Sequence, residues 1–268
     1  MTSHYRFIDF MAVFTTEIAS DSISSDNPIH QRLLKAYYLA KPYISGDILE
    51  IGCGEGRGIE LLAPLGTSYT AIDKIGSVIE DLSKKYPNSK FIQSNIPPLS
   101  GIENDSFDVV ISFQVIEHIK NDFGYLEEIH RVLKPGGVAL LTTPNKPKSL
   151  TRNPWHIREY TAEELNTLAS KVFGRVEMKG VTGSELVWSY YEENRRSVKK
   201  ITRFDIFNLQ YRLPSSLLKI PYDILNRMNR KNLEKGNGQT VRSIGLDDYL
   251  LSDDPDTSLD LFAILRKG

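Results

Sequence analysis

The segment Leu49-Glu-Ile-Gly-Cys-Gly-Glu-Gly-Arg-Gly58 constrains this chain more than any other stretch of it. An aliphatic run ending at Ile51 enters a cluster of four glycines, and a helix-compatible stretch, Ile59 to Leu65, leaves it. Glycines allow a tight turn and let a ligand approach bare backbone, while the helix that follows offers its free N–H groups at the same place. Asp73 stands twenty-one residues after Gly52, at the end of the next aliphatic run, Tyr69–Ile72. An acid at that distance can accept hydrogen bonds from both ribose hydroxyls of a nucleoside. The bland alternative is a tight turn with Asp73 capping a helix. The ordered sequence of strand, glycines, helix, strand and terminal acid weighs against it.

Glycine spacing narrows the ligand. Dinucleotide sites favour G-x-G-x-x-G, whereas Arg57 takes the last of those positions here and glycines fall at 56 and 58. Glu50 lies within the strand just below the loop. It could hold a cationic ligand or orient the loop, and it is a poor neighbour for a pyrophosphate.

The alternation continues downstream. A helix is expected over His30–Lys41, stopped by Pro42, and another over Ser77–Lys85. Lys90–Gln93, Asp108–Ser112 and Val138–Thr143 read as strands, with a helix over Phe123–Leu133 between the last two. Thr161–Lys171 reads as a helix with Thr161 and Glu164 at capping-box spacing. Short aliphatic runs separated by helices imply a parallel sheet covered on both faces. Length agrees: 268 residues with 40% apolar content suit a core of roughly 150–200 residues plus an elaboration. Texture changes after Ser184, and between Arg195 and Lys235 eleven Lys or Arg face three Asp or Glu. The expected organisation is an arm over 1–28, a core over 29–184, a basic helical insertion over 185–245, and a last strand within 246–268.

A formal net charge of −1 gives no global field toward nucleic acid, and the single cysteine, Cys53, excludes an intrachain disulfide or a Cys-rich metal cluster. No apolar run approaches the ~18–20 residues of a membrane span. Arg6 and Asp9 interrupt the first apolar stretch, which does not read as a secretory signal, so a cytoplasmic location is expected.

The glycine segment resembles motif I of class I S-adenosylmethionine-dependent methyltransferases of the type 11-like, small-molecule group that includes ubiquinone-biosynthesis O-methyltransferases. Asp73 matches the acid of motif II. Phe107-Asp-Val-Val-Ile-Ser-Phe-Gln-Val-Ile-Glu-His-Ile119 is similar to the fourth-strand motif, and Leu126-Glu-Glu-Ile-His-Arg-Val-Leu-Lys-Pro-Gly-Gly137, continuing to Pro144, to the family's L-x-E-I-x-R-V-L-K-P-G-G-x-L-L-x-T-x-P stretch. The resemblance covers about residues 30–182. It implies S-adenosylmethionine as cofactor, with Gly52, Gly54 and Gly56 along the methionine moiety and ribose, and Asp73 on the ribose hydroxyls. It further implies that Lys74 and the Ser94-Asn95-Ile96 turn frame the adenine, and that Gln114 and Val115 lie beside the sulfonium. Asn95 stands where the family often has Asp, and its amide oxygen can still accept from the adenine amino group.

Methyl transfer from a sulfonium is an in-line displacement on an activated donor, so most of the rate can come from positioning. A general base is needed only for an acceptor that arrives protonated. His118, just past the fourth strand, and His156, in Asn153-Pro-Trp-His-Ile-Arg-Glu-Tyr160, are the candidates. His118 divides evenly between this role and a structural bond to its loop, and for His156 an anchoring role is favoured. Trp155 and Tyr160 are candidates for a wall of the acceptor pocket. Glu117 and His118 lack a second ligand pair at a convincing spacing, so no metal is expected.

Three readings compete for the insertion. It is a solvated cap, or an aromatic lid over the acceptor whose arginines recruit an anionic group, or an interfacial segment over Ile201–Arg230 that touches a membrane surface. Pro214 and Pro221 are expected to break that segment into short helices, which weakens the third reading. Nucleic acid is a poorer partner, since Asn/Asp-Pro-Pro-Tyr is missing after the fourth strand. The expected fold is a Rossmann-like three-layer α/β sandwich with a largely parallel seven-stranded sheet and a helical insertion before its last strand. The expected function is metal-independent O-methylation of a small-molecule acceptor. A non-catalytic S-adenosylmethionine-binding protein and a nucleotide-dependent oxidoreductase stay open beside it, and the sequence does not speak to oligomeric state.

Overall fold

The computed structural model describes residues 23–268 apart from Ile206. The expected arm lies mostly outside the described residues. Contacts divide the chain into two units, one made of residues 33–148, 157–182 and 250–268, the other, among the described residues, of 23–32, 149–156 and 183–249. Residues 149–156, within the expected core segment, thus group with the helical unit.

The first unit is built on a single sheet. Its strands are β1 (Asp47–Ile51), β2 (Ser68–Asp73), β3 (Lys90–Gln93), β4 (Phe107–Phe113), β5 (Leu133–Pro144), β6 (Arg175–Gly183), β7 (Tyr249–Ser252) and β8 (Asp260–Arg266), in the order β3-β2-β1-β4-β5-β8-β6-β7. Five helices accompany them: α1 (Asn27–Ala40), α2 (Ile59–Leu62), α3 (Gly76–Lys85), α4 (Asp122–Val132) and α5 (Ala162–Ala169). The sheet has eight strands rather than the expected seven. The additional one, β7, is four residues long with two exposed leucines, too short and too open for an apolar pattern to mark it. The insertion therefore precedes the last two strands.

Strands β1 to β5 pair in parallel, whereas β8 runs antiparallel between β5 and β6. Ile48, Leu49, Ile51, Val109, Val110 and Ile111 are all at most 1% exposed, as a sheet covered on both faces requires. Tyr125, Leu126 and Ile129 of α4 and Leu165 of α5 join Leu49, Ile51 and Val110 in one buried cluster. β1 pairs with β2 on one side and β4 on the other. The chain winds outward through β2 and β3, then resumes at β4 on the far side. A ligand crevice lies outside the carboxyl ends of the strands at such a switch point.

Helix α5 starts where its sequence says it should. Thr161 Oγ1 accepts from the Glu164 N–H at 3.1 Å, and Glu164 Oε2 accepts from the Thr161 N–H at 2.8 Å. Thr161→Ala removes one half of this reciprocal cap and is expected to lower stability by about 1 kcal/mol, read from urea unfolding.

The helical unit comprises α6 (Glu185–Thr202), α7 (Leu209–Arg212) and α8 (Ser215–Ser243). Buried Asn229 of α8 ties the two long helices, accepting from Ser197 Oγ at 2.6 Å and donating to Asn194 Oδ1 at 2.7 Å. Buried Asp26 accepts from Arg227 at 2.8 Å and Arg230 at 3.0 Å. These contacts correct one expectation: Pro214 precedes α8, but Pro221 sits inside it and does not break it. A proline in the second turn removes one helical hydrogen bond, which the packing of the remaining length offsets. The interruption falls instead at Asn237 (φ −146°, ψ 49°), between Gly236 and Gly238. No helix of the described residues is long and apolar enough to cross a membrane.

Candidate cofactor site

Gly52, Gly54 and Gly56 follow β1 with φ of +76°, +48° and +80°, the left-handed region that L side chains rarely occupy. The turn is pinned from below: the Gly52 and Cys53 N–H groups donate to Ile72 O at 2.8 and 3.2 Å. A Cβ on Gly52 would sit 2.4 Å from Val115 Cγ2, so the loops after β1 and β4 meet at the switch point with no room for a methyl group. A Cβ on Gly54 would meet nothing within 4 Å. Bare backbone there faces open space.

Asp73 ends β2 and is 8% exposed. Its Oδ2 accepts from the Gly54 N–H at 2.9 Å, and its Oδ1 from the Ile75 N–H at 3.0 Å. A carboxylate offers about four acceptor positions, so two remain after these bonds. Lys74 and Asn95, at the carboxyl ends of β2 and β3, are exposed, and Ile96 is half-buried. Gln114, just past β4, holds φ +58°, a strained conformation for a non-glycine residue and one that concentrates at functional sites. Its N–H donates to Thr142 O at 2.8 Å and its Nε2 to Thr142 Oγ1 at 3.3 Å. Val115 is buried beside Gly52.

Glu50 is 2% exposed, with both carboxyl oxygens engaged. Tyr37 donates to Oε1 at 2.8 Å and Tyr69 to Oε2 at 2.5 Å. Neither tyrosine is among the candidates read from the sequence. Tyr69 pairs with Ile48 and Ala71 with Glu50, which places Tyr69 on the same sheet face as Glu50, and only the strand register reveals it. Burial pushes the Glu50 carboxyl up from 4.5 to about 7; the two tyrosine hydroxyls oppose the shift and the nearby Asp73 charge adds to it. Because the folded state binds this proton more tightly than the unfolded chain, the stabilisation is complete below about pH 4.5 and is lost as pH rises through 7. At ~1.4 kcal/mol per pH unit, the wild type is expected to lose roughly 3 kcal/mol more than Glu50→Gln between pH 4.5 and 7. Urea unfolding at a series of pH values checks this, and parallel curves for the two proteins would refute it. Burial likewise pushes the Cys53 thiol well above its ordinary value, keeping it unreactive.

His118 closes a short 3-10 turn, Ile116–His118, after β4, and its N–H donates to Val115 O at 2.9 Å. The turn is locked by buried Glu117, which accepts from Thr143 Oγ1 at 3.0 Å and whose carbonyl receives the Ile157 N–H at 2.8 Å. His156 belongs to the helical unit, where its Nε2 lies 2.8 Å from Asn153 Nδ2. Trp155 belongs to that unit too, its Nε1 donating to Asp223 Oδ1 at 3.2 Å under the Lys219 ammonium. Tyr160 is 2% exposed within the core cluster, with its hydroxyl on Asp122 Oδ2 at 2.8 Å, and it also lines a pocket of the sheet unit beside Asp122 and Arg158.

The sheet, its switch point and the glycine turn joined to Asp73 define a nucleoside-binding α/β fold of the methyltransferase type. Residues 49–141 match the family described as "Methyltransferase domain", and this segment is a class I S-adenosylmethionine-dependent methyltransferase domain. The chain is 35% identical over 135 residues to a protein of Mycobacterium tuberculosis named "Probable S-adenosylmethionine-dependent methyltransferase", covering 48% of this chain and 49% of that one. It therefore spans about half the length of that relative. It is 26% identical over 225 residues to a "Ubiquinone biosynthesis O-methyltransferase" of Rickettsia bellii, covering 83% of this chain and 75% of the other. A solved S-adenosylmethionine-dependent methyltransferase of Thermotoga maritima shares the fold with a TM-score of 0.56 at 14% identity, covering 90% and 92% of the two chains. The residues present fit S-adenosylmethionine, since Gly54 leaves open space above its backbone and Asp73 keeps acceptor positions for two hydroxyls.

Proposed function

We propose that the chain is an S-adenosylmethionine-dependent methyltransferase that acts on a small-molecule acceptor, at oxygen, by in-line transfer without a metal. The observation that carries this reading is the left-handed glycine turn after β1, with Gly54 bonded to Asp73 at the end of β2. In this reading the Gly52–Gly56 backbone lies along the methionine moiety and ribose, and Asp73 takes the ribose hydroxyls. Lys74, Asn95 and Ile96 frame the adenine, and Gln114 and Val115 lie beside the sulfonium. Bound S-adenosylmethionine supplies a methyl group already activated for displacement, so the protein's share is to align the acceptor and exclude water. A hydroxyl acceptor also gives up a proton, and His118 is the residue proposed to receive it. The preference for oxygen draws support from the name of the Rickettsia relative.

Calorimetric titration tests the cofactor first. Saturable one-to-one binding of S-adenosylmethionine and S-adenosylhomocysteine, with none for NADH, is the expected result. No binding of either to the wild type would sink the proposal. A panel of hydroxyl and amine acceptors then tests the chemistry, with and without a chelator. Transfer abolished by chelation and restored by a divalent ion would overturn the metal-free step.

A further inference from the structure

The helical unit holds a cavity of about 440 Å³, within the ~300–1,000 Å³ range of small-ligand sites. Val198 and Ile201 of α6, Leu213, and Leu217, Leu218 and Leu225 of α8 form much of its wall. Several polar residues on that wall spend their hydrogen bonds elsewhere. Asn229 is used by Ser197 and Asn194, and Thr202 Oγ1 donates to Val198 O at 3.1 Å. Asp205 accepts from the Leu209 and Gln210 N–H groups at 2.6 and 3.1 Å, at the start of α7. A guest gains little from these groups and much from the aliphatic surface.

Arg152 is the cation on this wall among the described residues. It donates to Gln210 O, Leu213 O and Ser215 Oγ at 2.9, 3.1 and 2.8 Å, and no carboxylate of the described residues pairs with it. Three of the five guanidinium donors are thus engaged and two remain. The surroundings repeat this chemistry. Phe204 and Leu217, both lining the cavity, are 77% and 63% exposed, and Phe207 and Ile220 are 68% and 72% exposed. Arg203 sets its guanidinium over the ring of cavity-lining Phe204, 5.7 Å from the centroid, is exposed, and forms no ion pair with a described residue. Exposed apolar side chains interleaved with uncompensated cations suit a ligand that is apolar at one end and anionic at the other.

We infer that this cavity binds the hydrocarbon chain of an anionic amphiphile, with Arg152 and Arg203 holding the head group. The inference stands independently of methyl transfer.

Titration of the polyene fatty acid cis-parinaric acid, whose fluorescence rises in a dry apolar site, tests it on the full chain. Saturable one-to-one enhancement is expected. Ile201→Trp, which fills the cavity, is expected to weaken binding at least tenfold. Because a buried tryptophan can disturb folding, a second variant carries Arg203→Glu, at an exposed position over the Phe204 ring. It is expected to weaken binding at least fivefold and to flatten its salt dependence. No saturable enhancement in the wild type, or unchanged affinity in both folded variants, overturns the proposal. Sedimentation with phosphatidylcholine vesicles, with and without phosphatidylglycerol, separates the sources. Co-sedimentation only with the anionic vesicles assigns the chain to a bilayer lipid, and probe binding without co-sedimentation assigns it to a free amphiphile.

Discussion

Asp73→Ala is expected to weaken S-adenosylmethionine binding at least about a hundredfold while the protein stays folded. Two of the acceptor positions of Asp73 are committed to the Gly54 and Ile75 N–H groups, and the proposed site gives the other two to the ribose hydroxyls. Hydrogen bonds to a charged group contribute ~1.5–3 kcal/mol each, so losing the pair costs about two to four decades of affinity. The alanine also releases the Gly54 N–H, which loosens the turn and adds to the loss. Asp73→Asn keeps one acceptor oxygen and is expected to fall between the two. Calorimetry gives the affinities and thermal unfolding confirms the fold. Equal affinity in wild type and Asp73→Ala would remove Asp73 from the site.

Gly58→Ala is expected to cost about 4 kcal/mol of stability and, with it, cofactor binding at physiological temperature. The backbone at Gly58 (φ −93°) suits any residue, so the cost is steric rather than conformational. An added Cβ would lie 2.0 Å from two ring carbons of Tyr37, a side chain 5% exposed that cannot swing into solvent. That ring also packs edge-on against Phe113 at 4.9 Å and carries the hydroxyl that meets Glu50. Displacing it combines overpacking, about 1–3 kcal/mol, with a buried carboxyl left short of a donor, about 1–3 kcal/mol. Gly54→Ala is the informative contrast. Its Cβ meets no atom, so stability is expected to fall only about 1 kcal/mol for the left-handed backbone, while the methyl group occupies the space given to the ligand. Urea unfolding separates the two variants. A Gly58→Ala protein as stable as Gly54→Ala would show that Tyr37 is not held as described.

The features legible in the sequence are those that local chemistry dictates. Glycines at 52, 54 and 56 announced a turn, and all three take positive φ. The Thr161–Glu164 spacing announced a capping box, and both of its bonds form. Lys90–Gln93 is a strand over those same residues. The helix at Asn27–Ala40 and the strand at Phe107–Phe113 differ from their expected spans by a few residues at the ends, where fraying and caps decide the boundary, and the last strand, Asp260–Arg266, falls within the expected 246–268. Such features were readable because each depends on a few neighbouring residues.

What depended on distant parts of the chain was not readable in this way. Pro221 carries the same signal in any helix, and only the length of α8 packed through Asn229, Arg227 and Asp26 keeps that helix running past it. Strand β7 exists because a sheet edge at β6 was available to a segment with no strong pattern of its own. The hydrogen bond from Tyr160 to Asp122, thirty-eight residues away, likewise forms only once the helix carrying Asp122 packs against the sheet unit. The turn, its acid and the alternation of strands and helices follow from the order of residues. The support of Glu50 by Tyr37 and Tyr69, the contact of Gly52 with Val115, and the apolar cavity among α6, α7 and α8 arise only when strands take their register and helices pack, because each joins residues whose sequence separation carries no information about their distance in space.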